Sequence, residues 1–231
     1  MYHSLIISGK NTYETWGMVP TSRPVVNPPE VKTTQVDLPA ADGVLDYTEL
    51  LTGRVPYGQR TGSWEFTLRP GVKWVQVYTS LLNELHGLQH TIVLEDDPRF
   101  QYTGRLSVSA WKSDPSRTTV TIDYNLSPYR QSIHASDDQD WLWDDAFTET
   151  IRYGSFAVAG EKWRNFINEG GWNVTPVFTC SAAMEVEYRG STYNLIPGQN
   201  ANANLALHPG DNIMVFRGNG TVSVHYREVS L

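Results

Sequence analysis

The sequence predicts a mainly β protein of two domains built from antiparallel strands, and three observations lead to this fold class. Apolar and polar residues alternate through 106–110 and 119–126, which is the pattern of half-buried strands. Residues 193–231 place turn signals between short strand-like runs. An acidic, polar segment at 131–150 divides the 231 residues into two parts of domain size.

The first domain begins with proline-punctuated chain. Residues 18–44 contain five prolines, which confine such chain to edge strands or extended loops. A strand is expected at 64–68, and Pro70-Gly71 ends it. The helix of this domain is predicted at about 72–86, ending before Gly87. Its apolar stripe has three- and four-residue spacing and consists of Trp74, Tyr78, Leu81, Leu82 and Leu85.

After the helix the period changes to two. Strands are expected around residues 92–94, 106–110 and 120–126. The sequence therefore predicts, for residues 1–130, an antiparallel β-sandwich or barrel-like domain with one helix.

The acidic segment marks the boundary between the domains. We interpret residues 131–140 as an acidic linker and residues 141–231 as the second domain, whose first strand carries Trp141 and Trp143. In this domain, Gly218-Asn219-Gly220 predicts a hairpin turn between arms at 213–216 and 222–226. No internal repeat is evident.

Composition argues against several classes of protein. The net charge of −7 and the scattered basic residues do not fit nucleic-acid binding. The N-terminus has neither the basic region nor the apolar length of a signal peptide, and no apolar run is long enough for membrane insertion. The single cysteine, Cys180, alternates with Phe178 in an apolar run, which indicates a buried, inert thiol.

Candidate catalytic and metal-binding residues are weak. Asp96-Asp97 and Asp144-Asp145 are adjacent, and neighbours on a strand point to opposite faces, so neither pair suits a glycan hydrolase. His86 and His90 have helical ligand spacing, but Gly87 interrupts the helix between them. We therefore expect no enzyme activity, no catalytic residue, no metal and no cofactor.

The eight tryptophans leave one alternative open. Indole faces stack on sugar rings, so Trp163, Trp172 or the Trp141 and Trp143 pair could serve a carbohydrate-binding, lectin-like protein that acts through the second domain. The competing explanation is that these aromatic residues fill the core or anchor an oligomer interface.

Ordered segments along most of the chain resemble the distal tail proteins (Dit family) of long, flexible-tailed bacterial viruses. The segments are DGVLDYTELLTGRVPYGQRTGSWEFTL (42–68), HG (86–87), VLEDDPRFQYTGRL (93–106), SPYR (127–130) and GQNANANLALHPGDNIMVFRGNGTVSVHYR (198–227).

The resemblance implies a structural component of a phage or prophage virion, made in the bacterial cytoplasm. Such proteins form a homohexameric ring hub at the tail tip, or baseplate, and the ring joins the tail tube to the host-recognition apparatus. The partners implied are the tail tube protein, tail-tip hub or fibre proteins and receptor-binding proteins. The resemblance also implies a galectin-like or carbohydrate-module-like β-sandwich for the second domain. Arg54, Tyr57 and Arg60 lie in the matched segment and are the expected ring-interface residues.

Overall fold

A computed structural model describes residues 3–39, 42–50, 53–113, 118–137 and 154–231. Its contacts divide the chain into two compact units, one of residues 1–130 with Leu231 and the other of residues 131–230. Both are built mainly from antiparallel strands, which confirms the predicted fold class. Among the described residues, no helix has the length and apolar character needed to span a membrane.

Within its described residues, the first unit contains two helices and one large sheet. The helices are α1 (Thr12–Trp16) and α2 (Trp74–Glu84). The strands are β1 (Leu5–Ile7), β2 (Lys10–Asn11), β3 (Met18–Pro20), β4 (Gln35–Asp37), β5 (Val44–Asp46), β6 (Arg60–Leu68), β7 (Gln89–Leu94), β8 (Asp97–Ser113) and β9 (Thr118–Leu126). Seven of them form an antiparallel sheet in the order β2-β1-β7-β8-β9-β6-β3. The predicted strands at 64–68, 92–94, 106–110 and 120–126 are all present.

The face that α2 buries differs from the predicted stripe. Val77, Leu81 and Leu85 enter the core of the first unit, whereas Trp74 is 44 % exposed and lies beside Trp111 of β8 with the ring centroids 6.1 Å apart. The predicted position of the helix is correct, but Trp74 lies at the rim. Val77, which the stripe omitted, occupies the core position at the same helical spacing.

The first helix, α1, was not predicted. The Asn11 side chain accepts hydrogen bonds from the Tyr13 and Glu14 N–H groups, and Gly17 ends the helix in a left-handed conformation. The expectation of one helix in this domain is therefore corrected to two among the residues that the structure describes. Residues with cap-forming chemistry stand at both ends, but five residues give no amphipathic stripe to recognise.

From Arg130 onward the structure is again mostly strand. The strands are β10 (Arg130–Ser132), β11 (Ser155–Asn168), β12 (Val177–Cys180), β13 (Met184–Tyr188), β14 (Ser191–Leu195), β15 (Gly198–Ala201), β16 (Gly210–His225) and β17 (Val229–Ser230). A 3₁₀ turn covers Ala203–Leu205. In the second unit the sheet order is β14-β13-β16-β12-β15, and β11 pairs along the other side of β16.

The predicted hairpin at Gly218-Asn219-Gly220 is wrong. β16 runs through these residues without turning and pairs with β11 over its length. On the side of β16 that does not face β11, the paired strand changes at these glycines. β13 pairs with residues 214–218 and β12 pairs with residues 222–225. Gly218 (φ 145°) and Gly220 (φ 155°) lie where the chain linking β12 to β13 crosses, and a Cβ on Gly218 would meet Met184 Cβ at 2.8 Å. The glycines therefore permit a close crossing of chains.

The second unit has a hydrophobic core in which four phenylalanine rings lie together. Phe156, Phe166, Phe178 and Phe216 form a cluster with ring centroids 5.2 to 6.4 Å apart, mostly in edge-on or tilted contacts. The core also holds Cys180, which is buried, and burial raises the pKa of its thiol. The prediction of a buried cysteine is confirmed.

Part of the predicted linker is packed in the second unit. The Ser136 hydroxyl donates to the Val224 carbonyl at 2.8 Å and accepts from the Tyr226 N–H at 2.9 Å, and Asp137 pairs with His225 at 2.7 Å. Residues 131–137 therefore have defined contacts. Linker residues 138–140, the Trp141 and Trp143 pair and Asp144-Asp145 lie outside the described residues.

Candidate functional site

The chain between β3 and β6 does not pair with the large sheet over most of its length. Its first part, residues 25–27, is attached to the large sheet by hydrogen bonds, and these residues are called the base below. The Arg60 guanidinium donates to the carbonyls of Asn27 (2.9 Å) and Pro128 (2.8 Å). The Trp64 indole donates to the Val25 carbonyl at 2.8 Å, and the Tyr124 hydroxyl accepts from the Asn27 N–H at 3.0 Å. Side chains from the two neighbouring strands β6 and β9 thus hold the chain at 25–27 in place.

Beyond this base, the chain forms a two-stranded ribbon, defined here as residues 35–39 and 42–50. Its strands β4 and β5 pair antiparallel, with Val36 opposite Leu45. Every residue of both strands is exposed, and the large apolar side chains are between 39 % and 71 % exposed. These side chains are Val36, Leu38, Val44, Leu45, Tyr47 and Leu50.

Few interactions stabilise such a ribbon when it is exposed to water. A two-stranded antiparallel pair is marginal without a hydrophobic face covered by another layer. Here six large apolar side chains stay exposed within a short stretch, whereas scattered single apolar residues would need no explanation. The ribbon is therefore the candidate interaction surface of the first unit.

The three expected interface residues lie near the ribbon's base and differ in role. Arg54 and Tyr57 are half-buried, and the Tyr57 ring packs edge-on against Tyr129 with centroids 6.5 Å apart. Burial raises the pKa of Tyr129, Tyr57 adds to the rise, and Arg54 opposes it. Arg54, Tyr57 and Tyr129 therefore form one cluster, and the first two lie in the chain between the ribbon and β6.

Arg60 has an intramolecular role. It is 5 % exposed, its donors are used by Asn27 and Pro128, and its guanidinium lies 5.6 Å from the centre of the Tyr102 ring. Burial lowers the pKa of this guanidinium. Arg60 therefore has almost no surface to offer a neighbouring subunit, and it serves as an anchor of the chain that carries the ribbon.

The weak catalytic candidates are occupied in structural contacts. Asp96 accepts from Arg23 at 2.6 Å and contacts His3 at 2.7 Å, and Asp97 pairs with Arg130 at 2.7 Å. Within the described residues, no group of three or more His, Cys, Asp or Glu side chains could hold a metal ion.

The two histidines at helical spacing are not neighbours on a helix. His86 Nδ1 accepts from the Val108 N–H at 3.1 Å, beyond the end of α2. His90 lies on β7 and contacts the Ser8 hydroxyl at 3.0 Å. The structure therefore places them in separate contacts.

The two tryptophans expected for a lectin are in different environments. Trp163 lies on β11 and is 63 % exposed. Trp172 is half-buried, and its backbone carbonyl accepts from the Asn168 side chain at 2.7 Å. Trp163 alone presents most of its side chain to solvent.

The ribbon is the feature that sequence reasoning missed. Its apolar residues stand among prolines and polar residues without a clear alternation, so the pattern cannot be distinguished from an extended loop.

The sequence matches no protein-family model and no curated protein. Its structure is similar to the crystal structure of the Dit (gp 19.1) protein of SPP1, described as a paradigm of the hub adsorption apparatus in phages that infect Gram-positive bacteria. The similarity covers 100 % of both chains, with a TM-score of 0.64 and 13 % sequence identity. The chain therefore has a Dit-like fold along its whole length.

Proposed function

We propose that the chain is a structural component of a phage tail tip or baseplate, a homohexameric ring hub that joins the tail tube to the host-recognition apparatus. The observation that carries this proposal is the similarity to SPP1 Dit over the full length of both chains, which includes both units. Fold alone does not fix function, so the proposal also needs a surface suited to assembly.

The exposed ribbon supplies such a surface. In a ring, each subunit uses one surface to contact a different surface of the next, and rotation closes the assembly. A ribbon with exposed Val36, Leu45 and Leu50 would bury its apolar side chains in such a contact. Arg54 and Tyr57 lie at its base and remain proposed interface residues.

In this proposal the first domain builds the ring and the second, a galectin-like sandwich, docks other tail-tip components. The proposed partners are the tail tube protein, hub or fibre proteins and receptor-binding proteins. The location is the virion, and neither catalysis nor a cofactor is part of the role. A net charge of −7 suits a virion protein, since it limits non-specific capture by nucleic acid.

Negative-stain imaging of the purified full chain tests the proposal. We expect closed rings with six-fold symmetry and a central channel at high protein concentration. Particles of single-chain size at every concentration, or open filaments, would contradict a ring hub.

A further inference from the structure

The outer face of the sheet in the second unit carries an exposed indole among polar groups held in place. Along β16 the side chains of Met214 and Phe216 are fully buried, so Ile213, Val215 and Arg217 lie on the opposite face. Val215 pairs with Trp163 of β11, which places the indole on this outer face.

On one side of Trp163 lies an ion cluster. Arg217 Nε donates to Glu161 at 2.8 Å, and Arg217 Nη2 donates to Glu187 at 2.8 Å. Glu187 stands in the same row as Trp163, since both pair with Val215, and Glu161 stands two residues from Trp163 along β11. The guanidinium is therefore held between two carboxylates beside the indole, with its side chain 41 % exposed.

On the other side lies a fixed amide. Asn165 Nδ2 donates to Asp211 at 2.7 Å, and Asn165 Oδ1 accepts from the Asn212 N–H at 2.9 Å. Asn165 is two residues from Trp163 on the same strand, so both side chains point outward. The indole is thus flanked in both strand directions by hydrogen-bonding groups whose orientation is set by neighbours.

This combination fits the chemistry of a pyranose ring. One face of a pyranose presents C–H groups that stack on an aromatic ring, and its edge presents hydroxyls that donate to carboxylates and accept from guanidinium or amide N–H groups. Groups already held in position lose little conformational freedom on binding. We propose that this face is a binding site for a neutral pyranoside, with Trp163 as the stacking platform and Glu161, Glu187, Arg217 and Asn165 as hydrogen-bonding groups.

The charges of the site select against acidic sugars. Two carboxylates, those of Glu161 and Glu187, hold the Arg217 guanidinium, and a third, that of Asp211, holds the Asn165 amide on the other side of Trp163, so the described charges around the indole are mainly negative. An anionic ligand would meet net repulsion, whereas an uncharged sugar would not. The site is an open sheet face rather than a cavity, so the expected affinity is low, with a Kd of about 1–10 mM.

A titration of the full chain with cellobiose, lactose and N,N′-diacetylchitobiose tests the site, with glucuronic acid as the acidic comparison. The readout is the indole and backbone amide N–H resonances in a two-dimensional NMR spectrum, in which the Trp163→Phe variant identifies the Trp163 indole signal and the backbone amides report binding by variants that lack this indole. We expect saturable shifts of the Trp163 signal with at least one of the neutral disaccharides and none with glucuronic acid.

Matched variants locate the binding. Trp163→Ala, at an exposed position, should retain the fold and weaken binding at least tenfold, and Arg217→Ala should weaken it about fivefold. Trp172→Ala, the control, should bind like the wild type. The proposal is overturned if no neutral disaccharide shifts the Trp163 signal at about 100 mM, or if folded Trp163→Ala binds as the wild type does. Either result leaves the ring proposal untouched, because the ring is measured separately.

Discussion

Asn200 and Asn212 make the same four hydrogen bonds in two successive turns of the second unit. Each side-chain amide donates to the carbonyls two and four residues before it and to a phenylalanine carbonyl, of Phe178 or Phe166, and each Oδ1 accepts the N–H four residues before it. Both turns have the sequence Pro-Gly-x-Asn, and both glycines have positive φ. A short motif is therefore repeated at 197–200 and 209–212, although no internal repeat was evident from the sequence.

The two asparagines should differ in their contribution to stability. Asn212 is 2 % exposed and also accepts from the Tyr188 hydroxyl at 2.6 Å, whereas Asn200 is half-buried. We expect Asn212→Ala to lower the free energy of unfolding by about 3 kcal/mol and Asn200→Ala by about 1 kcal/mol, because buried groups left without partners cannot turn to water. Both losses can be measured by urea unfolding, followed through NMR signals of residues in the second unit. Equal losses in the two variants would show that burial does not decide the contribution.

Position 218 should not tolerate a residue with a side chain, because the chain that links β12 to β13 passes close to it. A Cβ there would meet Met184 at 2.8 Å, and the φ of 145° disfavours other residues. We expect Gly218→Ala to lower the free energy of unfolding by about 2 kcal/mol or more. Gly171→Ala is the matched control, since its Cβ would have nothing within 4 Å, and it should change stability by less than about 0.5 kcal/mol. If both variants unfold at the same denaturant concentration, the close crossing is absent.

Arg60 should behave as an internal anchor. Arg60→Ala leaves the carbonyls of Asn27 and Pro128 without their donors, so we expect a loss of about 2–4 kcal/mol in the first unit. Arg105→Ala, an exposed arginine with one hydrogen bond to the Gly87 carbonyl, should cost less than about 1 kcal/mol. Thermal unfolding of the two variants gives the comparison. If Arg60→Ala is as stable as the wild type but no longer assembles, Arg60 is an interface residue rather than an internal anchor.

Asp96 should make the first unit more sensitive to acid. The hydrogen bond from Arg23, and then that from His3, lower the pKa of Asp96 below its ordinary value of 3.8. A lowered pKa in the folded state gives stability that is present above pH 3.8 and is lost as pH falls through the folded value. Unfolding temperatures measured from pH 7 to pH 2.5 should therefore fall less steeply below pH 4 in Asp96→Asn than in the wild type. Parallel curves would show that the contact with Arg23 does not form in solution.

Most of the regular structure could be predicted from the sequence, because local chemistry determines it. Alternation over 119–126 produced β9, and helical spacing over 74–85 placed α2. The predicted hairpin failed because Gly218 and Gly220 lie against residues 181–184, where the chain passes from β12 to β13. The local sequence around these glycines carries no information about a contact with a distant part of the chain. Their role depends on tertiary contacts.

The candidate sites were predicted less well, for a related reason. Trp163 was named together with Trp172, because the sequence does not show which indole faces solvent. The groups beside Trp163 come from three strands, and Glu187, Arg217 and Asn165 become neighbours through the pairing of β13, β16 and β11. Arg60 was expected at the ring interface because it lies in the segment that resembles the Dit family, and its position in the sequence does not show that Asn27, Pro128 and Tyr102 surround its guanidinium.

The mass of the full chain in solution, measured by light scattering over a range of concentrations, tests the central claim most directly. We predict a species of six times the chain's 26.1 kDa for the wild type. Leu45→Asp, on the ribbon, should reduce this mass to that of one chain, because burying the new carboxylate opposes the contact. Ile213→Asp, an equally charged change at a 61 % exposed residue of the second unit, should leave the mass at six chains. If the wild type has the mass of one chain at every concentration, the ring-hub proposal is contradicted. If the Leu45→Asp variant has the mass of six chains, the proposed role of the ribbon is contradicted.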